Sequence, residues 1–530
     1  MEATQEENLT SSVQQWASRL TITADDVDEL INLLLERETP MDSHELALAL
    51  IERKLATETE TLRDRYADAA MYNPSQSYEV GQRVIFPAMQ FATATVDEVR
   101  TGQNPDYGDF KVIRVLFDDE QTAREFAAEL KSEHKLNFES DESYPLPGEN
   151  AFTADEVLRV SGEDIINELE QMLVESRSLA YVGKKWFPRD LLIELDEGFQ
   201  HLADAVLDMA EGGPLTTEAI LEGMGGIGNA PLSLQVFSMN YALKDDERFD
   251  EVGPAGQVMW YLTRQEPEAV RQIPMPLRYT PIEVERDDLT PEMLALEAEI
   301  ADELSTHLKA TSKIDEATFT LIYPHRRAGT LPLNIHTRQI FPTARRAPRI
   351  YVTLVDGQDG EEYIGWVVHR EHYVYGLEPF YNKHQVPIGG YVSVRKGEEP
   401  GKIVVDIPAH RPRSEYIRLV VPKGDGLAFE DHKRNIGSDF DDLMIIGIEN
   451  LAEVDAIIQQ AQQQRKSIIP LMKMLLPALG KLTPQGTVHV RTLYSALNVL
   501  RRCPPGPIMA ALNENPDFEN VGGHYWRLTE

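Results

Sequence analysis

The stretch LEGMGGIGNAP sets Gly223, Gly225 and Gly228 at the G-x-G-x-x-G spacing of a dinucleotide-binding turn. In such a turn the glycines follow a buried strand and open a helix, so that free backbone N–H groups meet a pyrophosphate. Here the preceding residues, PLTTEAILEG, read as a helix. Pro214, Thr216 and Thr217 are a start signal, and Ile220 and Leu221 supply its apolar side. A loop that follows a helix has no strand to present it to a phosphate. A tight reversal between helices is the stronger reading.

Other residues with chemical potential give little. In PDYGDFK, Asp106, Asp109 and Lys111 share one turn, whereas nuclease carboxylates come from separated elements around a metal. Solvated turn residues are the expectation. His369 and His372 in HREHYVYG, read as strand residues three apart, face opposite sides and do not share an ion. There is no nucleophile–base pairing, Walker loop or zinc-hydrolase motif, so neither an enzyme nor a cofactor is expected. Cys503 is the only cysteine, which excludes internal disulfides and cysteine-built zinc sites.

A chain of 530 residues is expected to divide into several domains. The longest greasy stretch, SIIPLMKMLLPALG, is interrupted by Pro470, Lys473 and Pro477 and is far short of the ~20 residues a membrane span needs. The start, MEATQEENLTSS, shows no secretory pattern, so a soluble cytoplasmic protein with no membrane contact is expected. A net charge of −37 argues against indiscriminate coating of nucleic acid, which rests on neutralising phosphates. Local contact stays open, and charge has to be read by segment.

Positive charge collects in one place. From Tyr323 to Arg349 there is no Asp or Glu, while Arg326, Arg327, Arg338, Arg345, Arg346 and Arg349 all occur. Around them lie the strand patterns RIYVTLVD, EYIGWVVHR, YVSVRK and KIVVDI. Arginine forks suit phosphates or guanine edges, and Tyr323, Phe341, Trp366 and Tyr373 are candidates to stack on bases. Three readings stand: nucleic-acid contact, pairing with acidic segments of the same chain, or contact with a protein. Lys184 and Lys185, and Arg501 and Arg502 at a helix end, are further candidate nucleic-acid-binding residues. The alternative for the two arginines is that they complement a helix dipole.

The elements that position these residues show a repeat. NYALKDDERFDEVGPAGQVMWYLTR matches MAALNENPDFENVGGHYWRLTE: Leu243 and Phe249 are spaced like Leu512 and Phe518, Val252-Gly253 like Val521-Gly522, and Trp260 and Leu262 like Trp526 and Leu528. SLAYVGKKWFPRDLL is a weaker echo with Val182, Gly183 and Trp186. Upstream, ETPMDSHELALALIERK echoes GGPLTTEAILEGMG. Each full unit reads as two helices followed by a glycine-turned hairpin whose Phe, Val, Trp and Leu bury one face.

These units resemble the HARE-type winged helix-turn-helix, the class that includes the delta subunit of bacterial RNA polymerase. The resemblance covers roughly residues 200–265 and 485–530, with a partial copy near 155–190. It implies either a helix placed in the DNA major groove or a protein-docking module, for example on RNA polymerase. Acidic surroundings (Asp245, Asp246 and Glu247 after Lys244, and NENPDFEN) weigh against the first.

Short apolar runs between about 76 and 140 predict five strands, similar in pattern to an SH3-like or Tudor-like barrel. GLEPFYNKHQVPIGGYVSVRKG has the rhythm of a plant-type DNA-binding pseudobarrel. RDDLTPEMLALEAEIADELSTHL predicts a helix capped by Thr290 and Pro291, with Leu294, Leu296 and Ile300 apolar, joining two halves of the chain. NLAEVDAIIQQAQQQRK predicts a helix with Leu451, Val454, Ile457 and Ile458 on one face. The expected architecture is α+β and multidomain: repeated winged-helix units, a small SH3-like β-barrel and a central basic, pseudobarrel-like β domain. The predicted boundaries are 1–74 helical, 75–145 barrel, 146–270 winged helices, 271–310 linker and helix, 311–425 basic β domain, and 426–530 helical segment with the last winged helix. The expected function is a non-enzymatic DNA-binding or transcription-associated protein. The alternative is an acidic protein-interaction scaffold, for example docking on RNA polymerase without touching DNA.

Overall fold

A computed structural model describes residues 2–89, 91–104, 108–118, 123–132, 152–254, 256–310, 312–344, 347–424, 426–463 and 467–529. The chain is α+β and forms two compact bodies, Met1–Ile193 and Glu194–Glu530.

The first body begins with α1 (Glu2–Ala17) and α2 (Ala24–Arg37). Thr23 and Asp26 close a reciprocal capping box that starts α2, and Glu38 in the left-handed region ends it. A two-residue strand, β1 (Met41–Asp42), leads into α3 (Ser43–Tyr66), with Asp42 as the N-cap. The chain then builds a five-stranded sheet: β2 (Ala69–Met71), β3 (Arg83–Phe86), β4 (Ala92–Thr101), β5 (Lys111–Phe117) and β6 (Ala123–Ala128), in that order. In β5 alternate residues Ile113, Val115 and Phe117 are buried, as a half-buried strand requires. Past β6 the chain turns back, where Glu129 N–H donates to Gln76 O at 3.0 Å and Leu130 N–H to Pro74 O at 2.9 Å. The sheet is thereby nearly closed. The body ends with α4 (Ala154–Glu175), β7 (Leu179–Val182) and β8 (Lys185–Pro188).

β8 lies between β7 and β1, with Trp186 opposite Met41. α4 and this hairpin share one core with the N-terminal helices, through Leu30, Leu34, Leu50, Leu169, Leu173 and Trp186. The two weak echoes, at 38–54 and 178–192, are therefore the front and back of a single unit. The five-stranded body is inserted between its second and third helices. This corrects the boundaries at 74 and 146: residues 154–188 belong with the N-terminal helices.

The second body opens on the same plan. It has α5 (Glu197–Met209), β9 (Leu215–Thr216), α6 (Thr217–Met224), α7 (Leu232–Leu243), β10 (Phe249–Glu251) and β11 (Met259–Leu262), with β11 central and Trp260 opposite Leu215. After α8 (Glu268–Arg271) comes α9 (Pro291–Ile300), capped by Thr290 as predicted. α9 is no linker. Leu289, Met293 and Leu296 sit in the largest core, with Leu493, Leu497, Ile508 and Leu512.

A seven-stranded sheet follows: β12 (Glu316–Thr320), α10 (Tyr323–Ala328), β13 (Thr330–Pro332), β14 (Arg349–Asp356), β15 (Glu362–Val368), β16 (Tyr373–Tyr375), α11 (Glu378–Lys383), β17 (Tyr391–Lys396) and β18 (Lys402–Asp406). Its order is β12-β17-β18-β14-β15-β16-β13. The four strand patterns read from the sequence are β14, β15, β17 and β18.

Next comes a long antiparallel hairpin, β19 (Ala409–Lys423) and β20 (Gly426–Ser438), which the sequence reading missed. β21 (Ile446–Ile448) runs parallel to β19 on its other side. The chain closes with α12 (Leu451–Gln463), α13 (Ile468–Gly480), β22 (Val488–His489), α14 (Val490–Leu500), α15 (Pro505–Glu514), β23 (Phe518–Gly522) and β24 (Tyr525–Leu528). β24 is central, and Trp526 faces Val488. No helix among the described residues is long and apolar enough to cross a membrane.

Three times, then, a two-residue strand precedes a helix and pairs with a tryptophan on the returning strand of a hairpin. In the first two copies the indole is also tied down. Trp186 Nε1 donates to Ser43 Oγ at 3.0 Å, and Ser43 Oγ donates to Glu170 Oε1 at 2.8 Å. Trp260 Nε1 donates to Asn240 Oδ1 at 2.9 Å and to Thr217 Oγ1 at 3.1 Å. In the third copy the position after the cap is Val490, and the packing there is apolar.

Candidate functional site

Three consecutive amides of the glycine loop, from Gly225 to Ile227, are spent internally. Gly225 caps α6 in the left-handed region, Gly226 N–H donates to Leu221 O at 2.8 Å, and Ile227 N–H donates to Gln235 Oε1 at 3.0 Å. A Cβ on Gly223 would lie 2.8 Å from Val206 Cγ1, so that glycine serves helix packing. The loop joins two helices, as the sequence reading expected.

The arginines of the basic segment do not act as one set. Arg349 lies inside a junction, where its Nη1 donates to Glu266 Oε2 at 2.7 Å and Asp250 Oδ2 at 3.0 Å. Arg502 is fully buried; its Nη2 reaches Asp302 Oδ1 at 2.5 Å and Glu303 Oε1 at 2.6 Å. Arg502 has no surface left for a phosphate, and Arg349, half-buried, already holds two carboxylates, which corrects the expectation for both. The helix-dipole alternative fails for Arg502 as well, since its guanidinium is spent on two carboxylates and the Asn498 side-chain oxygen. Arg327 is exposed and paired with Asp455 at 2.8 Å. Arg338 is exposed, Arg501 is half-buried, and Arg345 and Arg346 lie outside the described residues. Lys184 and Lys185 are exposed at the turn between β7 and β8. The aromatic platforms also close: Tyr323, Phe341, Trp366 and Tyr373 are at most 3 % exposed, so none offers a face to a base.

Arg326 is different. It stands on α10, half-buried, with Nε donating to Val386 O and Nη2 to Asn382 Oδ1, both at 3.0 Å, and its guanidinium 5.8 Å from the Tyr381 ring centre. Both acceptors are neutral. Burial pulls its pKa below the usual guanidinium range. It forms one wall of a cleft of about 920 Å³ bounded by α10, α11 and the turn after it, the β19–β20 hairpin, β21 and the start of α12. Arg434 of the hairpin faces the same space and pairs with Glu449 at 2.6 Å. Leu451, predicted to share an apolar face with Val454, Ile457 and Ile458, is instead 45 % exposed at the cleft while the other three are buried.

Next to the cleft, Asp356, Asp359 and Glu361 bring carboxylate oxygens within 4.8 Å of one another. Their centre is taken by Lys383 Nζ, at 2.8, 2.5 and 2.8 Å, and His384 Nε2 lies 2.6 Å from Asp356 Oδ2. The three carboxylates hold the lysine protonated well above its ordinary range. A dication would have to displace an ammonium already satisfied three times, so the cluster reads as an ion-pair knot.

Asp109 is exposed, Lys111 pairs with Glu129 at 2.7 Å, and Asp106 lies outside the described residues. His369 begins a 3-10 turn and His372 follows it at φ +59°, so the strand assumed for them is not there. His369 Nε2 lies 2.9 Å from Pro342 O. Sequence reasoning missed Arg411, Arg413 and Lys433, which are exposed on the hairpin. Lys433 Nζ sits 5.0 Å from the ring centre of Tyr416, itself 65 % exposed. The available signal was RLVVPKGDGLAFED, two apolar runs around a Lys-Gly-Asp-Gly turn.

The junction at Arg349 yields a pH prediction. Glu266 is 3 % exposed, and its Oε1 is buried with no partner among the described residues. Burial, then Asp250 beside it, push its carboxyl up to about 8 and outweigh the pull of Arg349. A raised carboxyl stabilises the fold fully below its ordinary value of 4.5 and loses that contribution as the pH rises through about 8. Glu266→Gln, fixed in the neutral form, should therefore gain melting temperature over the wild type progressively across roughly pH 5 to 9. A pH-independent difference would contradict this.

The third helix of each repeated unit completes the picture. α4 carries Asp155, Glu156, Glu163, Asp164, Glu168, Glu170 and Glu175 against Arg159 alone. α7, LSLQVFSMNYAL, has no charged residue. α15 is buried from Pro505 to Leu512. In comparisons with known proteins, no protein family, no curated protein and no solved structure matches the chain.

Proposed function

We propose that the protein is a non-enzymatic docking scaffold whose three helix–hairpin units are winged helices engaged with protein, with an SH3-like barrel inserted in the first and a pseudobarrel-like β domain between the second and third. It works in the cytoplasm, with a partner such as RNA polymerase. The observation that carries this reading is the state of the three third helices: one strongly acidic, one uncharged, one buried. A helix entering the major groove has to bring cations to phosphates, and the three carry one between them, Arg159, among the seven acids of α4. The buried α15 makes the third unit an internal support for the chain. The first two units are left to meet a partner, and the acid face of α4 suits a basic protein surface.

A second reading, local nucleic-acid contact, is favoured by Lys184 and Lys185 at the first hairpin turn and by Arg411, Arg413 and Lys433 on the long hairpin, all exposed. Capture on immobilised bacterial RNA polymerase, before and after nuclease treatment, separates the two. The scaffold reading expects retention that survives nuclease and weakens when Glu163 and Glu168, exposed on α4, are changed to lysine. Retention that vanishes with nuclease would make nucleic acid the bridge.

A further inference from the structure

We propose that the cleft walled by Arg326 and Arg434 is a docking groove for an extended acidic peptide carrying aliphatic anchors. This deepens the scaffold reading by adding a partner surface that the winged-helix units do not supply.

Four observations meet there. The floor is aliphatic: Ile388, Ile417, Ile436 and Ile446 line it at 2–7 % exposure, so the apolar contact on offer rests on Leu451 above them. Among the described residues the lining cations are Arg326, Arg327, Arg434 and Lys383; Lys383 is spent on Asp356, Asp359 and Glu361, which leaves three arginines facing the carboxylate of Glu378. Leu451 stands exposed beside them. Finally, residues 434–437 belong to β20, an edge strand of the sheet β20-β19-β21.

Each feature selects for the same occupant. An exposed leucine over an isoleucine floor favours leucine-like side chains. Arginine forks take carboxylates, and among the described residues Arg326 has only neutral oxygens as acceptors. Arg327 and Arg434 already hold carboxylates near the surface, Asp455 and Glu449. Such pairs are worth little, so their exchange for a peptide carboxylate is cheap. An edge strand offers backbone N–H and C=O groups to an extended chain, with side chains alternating between floor and solvent. Nucleic acid fits less well, because single strands need open aromatic platforms. The cleft's aromatic residue, Tyr323, is 2 % exposed with its hydroxyl 3.3 Å from Asp455 Oδ1.

The test is fluorescence anisotropy of the full chain with a labelled short peptide of glutamates flanking leucines. Control probes carry lysine for glutamate or serine for leucine, and a single-stranded oligothymidylate serves as competitor. The proposal expects saturable binding of the acidic leucine peptide and much weaker binding of both control peptides. It also expects a loss of about tenfold, ~1.4 kcal/mol, in Arg326→Gln and again in Leu451→Ser. Leu451 is exposed, so its variant reports on the groove even if Arg326→Gln lowers the melting temperature. The proposal is overturned by no saturable binding, by equal binding of the serine peptide, by binding that neither variant weakens, or by oligothymidylate displacing the peptide. Failure here with nuclease-resistant polymerase capture intact would remove this groove and leave the scaffold reading standing.

Discussion

Arg502→Ala is expected to cost about 3–5 kcal/mol of folding free energy, because it strands two carboxylates in the interior. Asp302 and Glu303 are both buried; Asp302 Oδ2 accepts from Tyr494 Oη at 2.5 Å, and Glu303 Oε1 lies 3.1 Å from His325 Nε2. Arg502 Nη1 also donates to Asn498 Oδ1 at 3.0 Å. The network thus ties the end of α9 to α10 and α14. Among the described residues Arg502 is the one cation in direct contact with both carboxylates. Arg502→Met combined with Asp302→Asn and Glu303→Gln should recover most of the loss, since removing all the charges removes the stranded ones. Urea unfolding of the full chain, followed by tryptophan fluorescence, reads both. A loss under 1 kcal/mol for the single variant would mean that the carboxylates find water or protons at little cost.

Trp260→Ala is the second large effect, about 3–5 kcal/mol, from the cavity left by a side chain 1 % exposed. Trp260→Phe isolates the polar share. It keeps most of the ring but removes the indole donor, and about 1 kcal/mol is expected for the lost hydrogen bonds, since Asn240 Oδ1 still accepts from Thr217 Oγ1 at 2.5 Å. Trp186→Phe should behave alike through Ser43 and Glu170. If Trp260→Phe proved neutral, the Trp–Thr–Asn contact would be incidental to the unit and the first two copies would not share a packing device.

The repeat was legible because its signal is local. A tryptophan two residues before a leucine, after a glycine turn, fixes a hairpin whose register depends on a few neighbouring residues, and all three hairpins are present. The strands of the β domain were legible for the same reason: alternation declares itself within one run, as β14 does with every second residue buried. What failed was non-local. The first unit is interrupted by a five-stranded insertion, so its halves look like two fragments, and only the pairing of Met41 with Trp186 joins them. The segment 271–310 was read as a linker and a capped helix joining two halves of the chain. Glu297, Asp302 and Glu303 are instead buried against Arg286, Arg502 and His325. A run of arginines without acids in sequence likewise carries no information about acids that arrive from elsewhere, and Asp250 and Glu266 reach Arg349 from the preceding unit. Composition locates charge along the chain, and only the fold decides which charges are left for a partner.

The central claim is that the helix–hairpin units meet protein and do not read DNA. The most direct measurement is a titration of labelled duplex DNA with the full chain by fluorescence anisotropy, starting at low salt, where phosphate contacts are strongest. The account predicts no saturable rise at any salt. A saturable rise at low salt that falls steeply with added salt, and is reduced by changing Lys184 and Lys185 to glutamine, would contradict it.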